Sequence, residues 1–118
     1  MKIDEILERK KERYKKLNRN LNRIVKDLIN LGAEKIYLFG SLARGDINEF
    51  SDIDLFVVMP SSKSGKEWSK IIYEKVKRDV ATDFIVFNEK EFESEKEFNP
   101  LIINVLKEGK LIFKCEES

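Results

Sequence analysis

The 118-residue chain contains no histidine. Ser-His-Asp and Cys-His catalysis, His-ligated zinc and His-based RNA cleavage are therefore excluded. A general base has to be a carboxylate, a lysine, a tyrosine or a metal-bound hydroxide. The single cysteine, Cys115, allows neither an internal disulfide nor a Cys-rich zinc site, and near the C-terminus it reads as structural. No apolar run approaches the roughly 18 residues of a membrane-spanning helix, so no membrane association is expected. The opening MKIDEILERKKERYKK has no apolar core of a signal peptide, which makes a cytoplasmic location the expectation. Net charge is only +1, so no bulk attraction to a polyanion draws the chain to nucleic acid, and direct nucleic-acid binding is not expected.

Charge itself is abundant. Asp, Glu, Lys and Arg make up 38% of the chain, above the usual quarter, which fits a thermophilic source or a heavily solvated surface. The 42% of hydrophobic residues suffices for a core without staples. The length is that of one domain, 1–118.

Hydrophobic periodicity organises the chain. Ile3, Leu7, Tyr14, Leu17, Leu21, Ile24, Leu28 and Leu31 fall on three- and four-residue steps, with Lys10 as the one polar interruption, and predict a long helix over 3–31 closed by Gly32. Its second half reads as core packing. Its first half, with Ile3, Ile6, Leu7 and Tyr14 among charges, reads as a stripe for self-association (a homodimer), for a partner, or as a solvated end. A strand follows over 34–39, then a short helical turn in SLARG and a polar loop in DINEF. A second strand covers 52–59 and stops at Pro60. A helix is predicted over 66–79, a strand over 81–87 and a helix over 89–98. Asn99-Pro100 opens another helix, cap then proline, which runs to Gly109. Residues 111–113 close with a short strand. The fold class is α/β (α+β): a small mixed sheet of three or four strands with helices packed on it. The second strand, helix and third strand form a crossover unit, which makes those strands parallel.

One stretch resists a purely structural reading. FGSLARGDINEFSDIDLFVV, residues 39–58, begins an otherwise apolar strand with two aspartates, Asp52 and Asp54. Strand interiors ordinarily exclude aspartate. Residues i and i+2 of a strand share a face, about 6.5–7 Å apart, so two carboxylates there can lean on one cation. Asp83, near the start of the third strand, can complete an all-oxygen site of the kind that suits Mg²⁺. Two such ions about 3.5–4 Å apart stabilise the attacking and leaving oxygens at phosphorus. Gly40 permits close backbone approach to a phosphate, and the Ser41 hydroxyl can donate to it. Arg44 contacts a phosphate or pairs with Asp46. Each element alone is weak; a Gly-Ser pair, ten residues, then Asp-Ile-Asp opening an apolar strand is a specific pattern.

That pattern resembles the signature of the DNA polymerase β-like nucleotidyltransferase superfamily, and more closely that of its minimal nucleotidyltransferases. The resemblance covers residues 34–113. It implies that Gly40 and Ser41 bind the nucleotide triphosphate, with Arg44 beside them. It also implies that Asp52, Asp54 and Asp83 are the catalytic, metal-binding carboxylates for two Mg²⁺ ions, with ATP as substrate. Members are commonly encoded beside a HEPN-domain toxin as the antitoxin of a toxin–antitoxin pair. The implied reaction is transfer of AMP to a tyrosine of that toxin. Two alternatives stand beside it: the same transfer to a small hydroxylated molecule such as an aminoglycoside, or an antitoxin that binds without catalysis.

Overall fold

The computed structural model describes residues 3–40 and 53–116. Helix α1 (Ile3–Leu31) leads into strand β1 (Lys35–Phe39), and strand β2 (Ile53–Met59) follows. Helix α2 (Gly65–Lys75), strand β3 (Thr82–Asn88), helix α3 (Glu89–Glu95), helix α4 (Pro100–Glu108) and strand β4 (Lys110–Lys114) complete the order. The four strands form one mixed sheet in the order β3-β2-β1-β4. β2 runs antiparallel to β1 and parallel to β3, and β4 is antiparallel to β1. The expected crossover unit is present, with α2 as its helix.

Both faces of the sheet are covered, so β2, the inner strand of the crossover pair, is apolar on both sides. Ile53, Leu55, Val57 and Met59 point to one face and pack with Leu17, Leu21, Ile24 and Leu28 of α1 and Trp68 and Ile72 of α2. Phe56 and Val58 point to the other, where they meet Tyr37, Phe92 of α3, and Ile102 and Val105 of α4. Phe56 is fully buried and stacks on Phe87 with ring centres 5.4 Å apart. The second half of α1 is thus core packing, as its periodicity requires.

Local signals explain most boundaries. Ser64 caps α2 by accepting from the Glu67 amide. Asn88 caps α3 in a reciprocal capping box with Glu91 and also donates to the Lys63 carbonyl at 3.0 Å. Asn99 caps α4 ahead of Pro100. Two helices stop earlier than their hydrophobic pattern suggests. α2 ends at Lys75 rather than 79, because Val76 takes an extended conformation and turns its side chain into the core. The chain then has only a few residues in which to return to β3. α3 ends at Glu95 rather than 98, in a turn that lets the Asn99 side chain donate to Glu95 at 2.9 Å.

Replacing Phe56 with Ala removes the side chain that joins the second core and should cost about 3–5 kcal/mol. Tyr14→Ala, at a position 49% exposed, should stay within about 0.5 kcal/mol of the parent. Urea denaturation of the two variants checks the contrast.

Candidate active site

Asp54 and Asp83 are each the second residue of their strand, and the parallel ladder places them directly opposite one another. Register partners in adjacent strands lie about 4.8 Å apart and direct their side chains to the same face. Here that face is the one carrying Phe56, Phe87, α3 and α4. Those helices cover its middle, and the two carboxylates stand at the end where the strands begin. Asp54 is half-buried and Asp83 exposed.

The end of β1 arrives at the same place. Phe39 is the register partner of Asp54 on the antiparallel side. The next residue, Gly40, adopts φ +77°. A side chain is strained in that region, and here space forbids one as well. A Cβ on Gly40 would strike the Asp54 carboxylate, with its carboxyl carbon 3.1 Å away. The backbone at Gly40 therefore lies flat against Asp54, and a group approaching the carboxylate also meets the backbone where β1 ends. Of the residues singled out in the sequence, the structure brings Gly40, Asp54 and Asp83 to one sheet edge. Ser41, Arg44 and Asp52 lie outside the described residues. Among the described residues no three carboxylates cluster, and the opposed pair is the donor set present.

Sequence reading did not anticipate what steadies the start of β3. This strand is at the edge of the sheet, and the amide of Phe84, next to Asp83, faces away from β2. The Tyr73 hydroxyl of α2 accepts from that amide at 2.9 Å and donates to the Phe84 carbonyl at 3.5 Å. The Arg78 guanidinium stacks over the Tyr73 ring at 4.8 Å and lies 5.8 Å from that of Phe84. Tyr73 stands on the exposed side of its helix, so its periodicity carried no signal for this contact.

A second acidic pair, Glu34 and Glu89, lies at the opposite end of the sheet and behaves differently. Partial burial pushes the Glu34 carboxyl up, and hydrogen bonding to and repulsion by Glu89 push it further, against the charge of Lys35. A cavity of about 690 Å³ opens along β3 between α2 and α3, lined by Lys66, Lys70, Tyr73 and Glu91 among others. Its strand residues are Val86 and Phe87, beyond the aspartate end.

Comparison with known proteins gives the family. The nucleotidyltransferase domain family matches residues 18–112. The chain belongs to that family. Two proteins of Methanocaldococcus jannaschii, each named a "putative protein adenylyltransferase", are similar to it. One is 31% identical over 75 residues, 64% of this chain and 72% of that protein. The other is 36% identical over 87 residues, 66% of this chain and 56% of that protein, so the chain spans little more than half of its length. Among solved structures, a nucleotidyltransferase (titled "putative") from Sulfolobus solfataricus superposes with a TM-score of 0.63 at 25% identity, covering 91% of this chain and 88% of that one. A chain of a toxin–antitoxin structure with AMP-PNP superposes with a TM-score of 0.53 at 22% identity, covering 82% and 75%. At that identity the likeness is one of fold. The nucleotidyltransferase fold expected from the signature is thus present, and among the described residues its sheet has four strands.

Gly40→Ala should lose about 1–2 kcal/mol from the left-handed backbone alone. It should also displace the Asp54 carboxylate and reduce nucleotidyl transfer far more than the melting temperature. Thermal melting and a transfer assay on the same preparation measure both.

Proposed function

We propose that this nucleotidyltransferase is a magnesium-dependent protein adenylyltransferase that moves AMP from ATP to a tyrosine hydroxyl of a partner HEPN toxin, acting as its antitoxin in the cytoplasm. The observation that carries the reading is the opposed pair Asp54 and Asp83 beside the left-handed backbone of Gly40. The names of the Methanocaldococcus relatives support a protein acceptor. The toxin–antitoxin structure with AMP-PNP supports ATP as donor and a toxin as partner.

The donor set fits magnesium. Two hard carboxylate oxygens project together from neighbouring strands at a partly solvated edge, with room for water and phosphate oxygens to fill the shell. Asp54 and Asp83 would hold the ions together with Asp52. Bound there, magnesium neutralises phosphate charge and stabilises the attacking and leaving oxygens of an in-line displacement.

The remaining roles fall to the chain. The backbone at Gly40, with no side chain in the way, lets the triphosphate approach the carboxylates, and Ser41 and Arg44 contact its oxygens. The acceptor oxygen forms a bond to the α-phosphorus as the bond to the bridging oxygen breaks, and pyrophosphate leaves. Asp83, the more exposed carboxylate, receives the hydroxyl proton. Positioning and charge neutralisation supply most of the acceleration in this chemistry.

Asp54→Asn and Asp83→Asn should each reduce AMP transfer to the co-expressed partner by at least about a hundredfold while remaining folded. Magnesium should raise the melting temperature of the parent more than that of either variant. Labelled ATP and differential scanning fluorimetry test the two statements, and parental turnover by either variant would refute the assignment.

A further inference from the structure

Charge along this molecule is segregated in a way that its near-zero total conceals. Residues 9–19, RKKERYKKLNR, hold seven cations and one acid. A net charge of +6 is thus concentrated in 11 residues of a chain whose total is +1, and the rest sums to −5.

The fold determines where this segment sits. The C-terminal end of α1 is anchored at the end of the sheet away from the aspartates, because the Gly32 amide bonds the Ile29 carbonyl and the Glu34 amide bonds the Val58 carbonyl. From there the helix crosses the sheet, burying Leu28, Ile24, Leu21 and Leu17 in turn. On the way, the Arg23 guanidinium reaches toward the opposite end and pairs at 3.0 Å with Asp79, in the segment leading into β3. Everything N-terminal to Leu17 continues past that end. Of the described side chains from Glu5 to Lys16, none is buried. The longest dimension of the molecule is 53 Å against 29 and 24 Å, and its radius of gyration of 15.4 Å exceeds the roughly 13.5 Å of a compact chain this long. The helix overhangs the end of the sheet that carries Gly40, Asp54 and Asp83, from the layer opposite the face to which the two carboxylates project.

The overhang is shaped as well as charged. Arg9, Arg13 and Lys16, spaced i, i+4 and i+7, share a side of the helix. With Glu12, Lys15 and Arg19 they border an open, shallow groove of about 640 Å³ whose described wall is α1 alone. From Arg9 to Arg19 this line of cations extends about 15 Å. That exceeds a triphosphate and matches four or five residues of extended peptide at about 3.3 Å each.

We propose that this cationic groove docks an acidic segment of the acceptor protein and so delivers its hydroxyl to the Asp54–Asp83 edge. The proposal rests on the protein-adenylyltransferase reading for the acceptor's class and adds the surface and charge by which the acceptor is chosen. A polyanion longer than the groove, such as nucleic acid, would run from +6 onto a body of −5 and be repelled there. An acidic segment ending within the groove avoids that conflict. Steering by such a field raises the encounter rate and weakens with salt.

The test uses the full chain and a fluorescein-labelled, glutamate-rich ten-residue peptide with one tyrosine, followed by anisotropy at low salt. The parent should bind it. The triple variant Arg9→Glu, Lys15→Glu, Lys16→Glu should bind at least tenfold more weakly, and Arg9→Lys should retain parental affinity. ATP affinity by calorimetry should change by less than twofold in the triple variant. Unchanged peptide affinity in the triple variant would overturn the proposal. So would a parallel loss of ATP affinity, which would assign the groove to the nucleotide, or tighter binding of an RNA oligonucleotide of equal charge. Failure of the adenylyltransferase reading is distinguishable, since the parent would then label no protein with AMP while the peptide measurements stand.

Discussion

The double burial of β2 is the constraint on which the rest depends. Six of its seven residues are buried, and Asp54 alone is half-exposed. A strand this apolar needs a layer on each face and a paired strand on each edge. α1 and α2 supply one layer, α3 and α4 the other, and β1 and β3 the edges. Once those partners are in register, Asp54 has no freedom of position. It lies between Phe39 and Asp83 because the ladder on either side requires it.

Such an arrangement concentrates electrostatic cost at one place and stability everywhere else. Like charges opposed across a ladder are unfavourable. At the other end of the sheet, burial and the hydrogen bond to Glu89 push the Glu34 carboxyl up. The aspartate pair instead borders a segment of backbone that excludes a side chain. Tyr73 adds a structural detail with the same effect. By bonding both polar groups of Phe84 it occupies an edge position that would otherwise be open to another strand. The residue beside Asp83 is held at the level the pair needs.

α1 links this edge to the surface beyond it. One face of its C-terminal half is hydrophobic and joins the main core; its N-terminal half is cationic and stands clear of the sheet. The same element therefore stabilises the domain and extends it past the end that carries the aspartates. Because the helix is one rigid rod, the position of the cations relative to the carboxylates is set by the packing of Leu17, Leu21, Ile24 and Leu28.

The sequence by itself determined the elements and marked the candidate site residues. Period-3.6 and period-2 patterns, together with Gly32, Pro60, Asn88, Asn99 and Pro100, marked all four strands and every described helix, because these signals act within a few residues of chain. The misplaced ends of α2 and α3 arose where a tertiary demand, burial of Val76 or the turn before Asn99, overrode a continuing helical pattern. Asp54 and Asp83 were legible as candidates because aspartate in an apolar strand opposes local preference and so signals a reason outside it. Tertiary structure alone decided that these two aspartates are register partners, that Gly40 leaves no room for a side chain beside Asp54, and that Tyr73 holds the neighbouring backbone. It also decided which end of the sheet the cationic helix overhangs. Each of those depends on the mutual placement of segments 11 or more residues apart in the chain, and strand register and helix direction arise only when the shared core closes.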